Sequence, residues 1–99
     1  MIERHPDRRP THPGAMLREI ILPSFNKPKA EIARLLGVSR ESLYSILNED
    51  RPVTPAMAVR LGKLCGNGPG LWTRMQAAHD IWQAEREIDV SEIPTLDAA

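Results

Sequence analysis

Between Ala33 and Ile46 the chain reads Ala33-Arg-Leu-Leu-Gly37-Val-Ser39-Arg-Glu-Ser-Leu43-Tyr-Ser-Ile46, a pattern that leaves few folds open. Ile32, Ala33, Leu35 and Leu36 lie on one side of a short helical segment that stops at Gly37, a residue that tolerates the left-handed conformation after a helix. Ser39 follows, with a hydroxyl suited to capping a second helix, and Leu43, Ile46 and Leu47 supply that helix with a buried stripe. Two helices crossing steeply over a three-residue turn need a small residue at their closest approach and a turn residue without a side-chain penalty. Ala33 and Gly37 meet those needs. The pattern predicts a helix-turn-helix.

The remaining prolines and glycines punctuate further helices. The periodicity predicts five, over residues 13–21, 29–36, 40–48, 55–65 and 69–86. Met16, Leu17, Ile20 and Ile21 mark the first, with Pro23 as its stop. Thr54-Pro55 starts the fourth, a capping hydroxyl ahead of a proline whose missing N–H costs nothing at the first helical position. The fifth carries Trp72, Met75, His79 and Trp82 at intervals of three and four. With 99 residues there is room for one core, and 41% apolar against 26% charged residues marks a chain that folds. The expected organisation is a flexible arm over 1–11, an all-α, five-helix lambda-repressor-like domain over 12–87, and an extended tail over 88–99. In the tail, Ile88, Val90 and Ile93 alternate with polar residues as a short strand or a docking arm would.

Much chemistry is excluded. A single cysteine, Cys65, allows no internal disulfide, and with only three histidines a structural metal site is not expected. No apolar run is long enough for a signal core or a membrane span, so a cytoplasmic protein is expected. The chain lacks a Gly-rich phosphate loop, a paired-carboxylate signature and a His-Glu-x-x-His motif. No enzyme, cofactor or small-molecule substrate is therefore expected. His12, directly ahead of Pro13-Gly14, reads as a residue that shapes or caps the first helix, and His79 as a core or interface histidine.

What remains is a surface for macromolecules. With Leu43 and Ile46 turned inward, Arg40, Glu41, Ser42, Tyr44 and Ser45 lie on the exposed side or amino-terminal end of the second helix of the pair, where a DNA major groove would receive them. Arg40 can donate two bonds to guanine. Ser42 and Ser45 can bond base edges or phosphates, Tyr44 can reach a phosphate or a thymine methyl, and Glu41 can accept from cytosine while repelling phosphate. Ser39 at the turn, Lys29 at the start of the preceding helix, and Asn48 and Arg51 beyond the second one sit where the phosphate backbone would pass. The net charge is zero, yet residues 1–51 carry nine of the 13 Lys/Arg and seven of the 13 Asp/Glu, so the polyanion should meet the front half. The alternative is a helical hairpin whose polar face touches nothing. The stripe of Trp72, Met75, His79 and Trp82 reads as core or as a two-fold dimer contact. A dimer would present two such helices about 34 Å apart to a palindrome.

Four segments, Arg9-Pro-Thr-His12-Pro13-Gly14, Ile32 to Arg40, Asn48-Glu-Asp-Arg-Pro-Val-Thr54 and Trp72 to Ala84, occur in an order that resembles the HigA antitoxins, over about residues 9 to 93. The His-Pro-Gly opening and the Gln76-Ala-Ala-x-Asp80-x-Trp82 stretch are the most specific. The resemblance implies an antitoxin that binds and neutralises a RelE-like messenger-RNA interferase, a HigB-like toxin, and represses its own operon as a dimer on palindromic operator DNA. It points to the amino-terminal arm and first helix as toxin contacts. Two positions depart from the family pattern. Pro28 stands where a hydroxyl usually caps the second helix, leaving either Asn26 as the substitute cap or a remodelled helix entry, and the Lys29 contact in question. Glu49 stands where glycine is common and Asp50 follows; both are expected near the DNA backbone, where they would weaken binding. A solitary repressor without a toxin and an interaction module that has lost DNA affinity are the competing functions.

Overall fold

The computed structural model describes residues 8–97, which form five helices and no strand. The first helix, α1, is a single rod in three parts: an α turn over Pro13–Met16, a π turn over Leu17–Ile21 and a second α turn over Leu22–Phe25. Then come α2 (Lys29–Leu36), α3 (Arg40–Leu47), α4 (Pro55–Cys65) and α5 (Pro69–Glu87).

Helix α1 runs past the expected stop at Pro23. A proline inside an α-helix lacks a donor and pushes against the carbonyl four residues back. Here the helix has already widened, with the Leu22 N–H bonded to the Leu17 carbonyl in the i to i+5 register. The wide turn also decides which residues are buried. At 3.6 residues per turn positions 17 and 22 would stand about 140° apart, whereas the π register stacks them. Leu17 and Leu22 both enter the core, and Ile20, expected on the buried stripe, is 63% exposed. Asn26 ends α1 in the left-handed conformation at φ 53°, so it is not the substitute cap for α2.

The core gathers Leu17, Ile32, Leu36, Leu43, Ile46, Val53, Ala58, Leu61 and Trp72 from all five helices and the α3–α4 loop. Trp72 is fully buried, and its indole N–H donates to the Asn67 side chain at 3.0 Å. It belongs to the interior of one chain and cannot be a dimer contact. His79 is buried as well, and of the expected dimer stripe only Met75 and Trp82 keep partial exposure. The side of α5 that stays open carries Ile81, and beyond Glu87 the tail continues as an arm with Ile88, Val90, Ile93 and Leu96 exposed. Residues 1–7 of the expected amino-terminal arm lie outside the described residues. Pro10, in its remainder, is buried.

The starts of α1, α3's end and the middle of α5 meet in one polar junction. The His12 Nδ1 accepts the Gly14 N–H at 2.9 Å, capping α1 with an imidazole. Its ring stands edge-on to His79 with centroids 4.9 Å apart. Beside them the buried Gln76 accepts the Val53 N–H at 2.7 Å and donates to Asp80 at 2.9 Å, tying the α3–α4 loop to α5. Asp80 also lies 3.2 Å from His79 Nδ1. Gly14 itself rests against α3, where a Cβ would fall 1.9 Å from the Ile46 carbonyl oxygen.

Gly14→Ala forces backbone apart and should cost about 2–3 kcal/mol, the upper part of the range for overpacking, because backbone has no room to relax. Thermal unfolding should show a midpoint lower by roughly 10 °C or more. Burial pushes the His12 imidazole below the ordinary histidine value of 6.5; the His79 ring acts in the same direction and Glu49 and Asp80 oppose it. Because the folded state favours neutral His12, its contribution is complete above pH 6.5 and is lost as pH falls below that value. Melting temperatures between pH 7.5 and 5.5 should therefore decline, and less steeply in His12→Asn, which keeps a capping oxygen and has nothing to titrate.

Candidate nucleic-acid interface

The helix-turn-helix forms as its residues require. Gly37 adopts φ 74°, and the Gly37 and Val38 N–H groups return to the Arg34 and Ala33 carbonyls at 3.1 Å, closing α2. Arg60 of α4 reinforces the stop by donating to the Leu36 carbonyl at 2.6 Å. A Cβ at residue 37 would meet that guanidinium at 2.8 Å and would also be strained by the positive φ. Ser39 caps α3, its Oγ accepting the Ser42 N–H at 3.0 Å. Leu43, Ile46 and Leu47 then point inward and fix the rotation of α3 about its axis.

The outer face of α3 carries Arg40, Glu41 and Tyr44, all exposed, with Ser42 and Ser45 half-buried along its edge. The Ser39 hydroxyl also donates to Ser42 Oγ at 2.9 Å, and Arg51 reaches back from the α3–α4 loop to within 3.4 Å of the same oxygen. The structure thus brings Ser39, Ser42 and Arg51 together at the amino-terminal end of α3, beside Arg40. Asn48 is exposed at the carboxyl end. Lys29 is exposed at the first position of α2, away from this cluster in sequence but on the preceding helix. That helix starts without a side-chain cap: Pro28 contributes its carbonyl, which accepts the Glu31 and Ile32 N–H groups, and among the described residues no side chain caps the amides ahead of them. Arg34, also on α2, is committed to Glu31 through two bonds of 3.0 and 2.5 Å, and the guanidinium holds the Glu31 carboxyl below its usual value.

Glu49 does not point where the sequence placed it. Its backbone takes φ 65°, the left-handed region in which glycine is at ease, and its carboxylate swings toward α1. There it accepts from Arg18 at 3.3 and 3.4 Å and pairs with Arg9 at 3.7 Å. The carboxylate is thereby neutralised on the side of the loop that faces α1, while Asp50 stays exposed. The supports supplied by Arg18, Arg60 and Gln76 escaped sequence reasoning, because their partners are backbone groups about 23 to 29 residues away. One signal pointed to Arg18: an acid where family members place glycine needs something to hold it.

Among the described residues no group of three or more metal-ligating side chains converges, and no helix is long and apolar enough to cross a membrane. Comparison with known proteins gives the geometry its context. No family model matches the chain. It is 35% identical over 85 residues to YbaQ, an uncharacterised HTH-type transcriptional regulator of Escherichia coli K12, spanning 86% of this chain and 75% of that protein. It is 30% identical over 79 residues to the antitoxin HigA-1 of Vibrio cholerae, spanning 80% and 74% of the two chains. Among solved structures, the antitoxin GraA in complex with its operator superposes with a TM-score of 0.82 at 32% identity, over 99% of this chain and 100% of that one. The Pseudomonas aeruginosa antitoxin HigA with the higBA promoter gives 0.78 at 30% identity, over 89% and 100%. Similarity to these proteins along most of the chain, on a fold built around a helix-turn-helix, places the chain in the HigA-type family of helix-turn-helix antitoxins.

Proposed function

We propose that this chain is the antitoxin of a type II toxin–antitoxin pair, which represses its own operon by binding palindromic operator DNA as a dimer and neutralises a RelE-like, HigB-like messenger-RNA interferase. The observation that carries the DNA half is the outer face of α3. It presents Arg40, Glu41 and Tyr44 on a helix whose rotation is fixed by three buried residues, in a chain that aligns over 99% of its length with an antitoxin solved in complex with its operator.

Roles follow from position. Arg40 reads a base edge, with Glu41 penalising wrong sequences beside it. Tyr44, Ser42 and Ser45 line the same groove. Lys29, Asn48 and Arg51, with Ser39, flank it along the phosphates, and the uncapped amides at the start of α2 add donors for a phosphate oxygen. With Trp72 and His79 buried, the two-fold contact falls to the outer side of α5, where Trp82 and Met75 are partly exposed and Ile81 and Ile88 are open. The zero net charge then means that affinity rests on a few well-placed cations in the front half.

Titration of the duplex lying upstream of the gene, against a shuffled duplex of the same composition, tests the assignment by fluorescence anisotropy. Arg40→Ala should cost roughly 1–3 kcal/mol on the native sequence and relax preference at one base pair. Arg51→Ala should weaken both duplexes alike and lower the slope of log K against log salt by about 0.9. Identical behaviour of the two variants on both duplexes contradicts these roles. For the second half, induced expression of a small basic protein encoded beside the gene should arrest growth, and co-expression of this chain should relieve the arrest.

A further inference from the structure

Arg18 makes three contacts that no property of α1 alone requires. Its Nη1 donates to the Leu47 carbonyl at 2.5 Å, and both its Nη1 and Nη2 reach Glu49 Oε2, at 3.3 and 3.4 Å. Leu47 is the last residue of α3, so one of the carbonyls left free at the end of the recognition helix is taken by a cation on another helix. Two residues later the chain turns through a left-handed glutamate, a conformation that costs a non-glycine residue energy unless its surroundings hold it. Asn48 lies before that turn and Arg51 two residues after it, and the Asp50 and Arg51 N–H groups both return to the Ser45 carbonyl, at 2.8 and 3.2 Å. The direction of the Glu49 side chain therefore bears on an exposed DNA-facing segment from both sides.

We infer that Arg18 is a positioning residue for DNA binding, which holds the Glu49 carboxylate on the α1 side of the α3–α4 loop and so keeps a negative charge away from the passing phosphates. This rests on the DNA-binding reading above. Arg9 assists from 3.7 Å, but it is more exposed than Arg18 and makes no bond to the α3 carbonyl. Without Arg18 the carboxylate loses its two shortest contacts and keeps only the more exposed Arg9, 3.7 Å away. It then lies between Asn48 and Arg51, free to turn to solvent well within a Debye length of bound phosphates, about 10 Å at 0.1 M salt. Glycine at position 49 removes the charge and relaxes the turn at once, so the need for Arg18 should vanish with it. A purely structural ion pair behaves differently, because affinity lost through a distorted loop is not recovered when salt screens the Glu49 charge.

The test compares wild type, Arg18→Ala, Arg18→Lys and the double variant Arg18→Ala/Glu49→Gly on the upstream and shuffled duplexes at 50 and 200 mM salt, with circular dichroism to establish that each is folded at the assay temperature. Arg18→Ala should bind the upstream duplex about tenfold more weakly at the lower salt, with the gap narrowing at the higher one as repulsion is screened. Arg18→Lys should stay within about threefold of wild type, and the double variant should recover to a similar range. Arg18→Ala binding as tightly as wild type, or a double variant no tighter than Arg18→Ala, overturns the inference while leaving DNA recognition intact. A wild-type protein that does not distinguish the two duplexes overturns the DNA reading itself, and this inference with it.

Discussion

The close approach of Gly14 to the Ile46 carbonyl governs how the rest of the molecule is arranged. A helix that starts against the backbone of another has no side chain between them to absorb error, so the position of α3 is set by α1 at contact distance. His12 makes that start possible by capping it, and the His79 ring it meets belongs to α5. Gln76, one turn before His79, reaches the Val53 amide in the loop that leaves α3. The carboxyl end of the recognition helix is therefore referenced to this buried junction. The front is fixed by the Gly37 turn and by Arg60, and the back by Gly14, Arg18 and Gln76.

This arrangement explains why the two most specific stretches of sequence are far apart in the chain. His12-Pro13-Gly14 and the Gln76 to Trp82 segment touch in the fold where the His12 ring meets His79, and Gln76 reaches the Val53 amide in the loop between. Buried polar groups are costly when left single and restrictive when fully paired. A network of this kind selects one packing of three helices. The recognition face gains its rigidity from residues that do not lie on it.

The helices themselves were legible because their signals are local. Ala33, Gly37 and Ser39 dictate a turn through their own backbone and hydroxyl chemistry, and the structure places each as expected. Thr54-Pro55 and the glycine after Cys65 bound α4 in the same way. Local signals failed where an extra residue entered the helical register. The π turn in α1 shifts the buried positions from Ile20 toward Leu22 and carries the helix through Pro23, and no periodicity of 3.6 can foresee it. The Trp72, Met75, His79 and Trp82 stripe was visible as apolar, but the depth at which each residue sits depends on how the other helices close over it. Glu49 shows the same limit for charge. Its position in the chain was clear, and its direction came from Arg18 and Arg9 across the fold.

In the proposed function DNA meets the chain on α3 and its flanks. Amide chemical shifts recorded during titration with the upstream duplex test it most directly. The largest changes should fall at Lys29, across Ser39 to Ser45, and from Asn48 to Arg51, with the outer side of α5 unaffected by the DNA itself. Changes confined to α5 and the tail, with α3 unmoved, would contradict it.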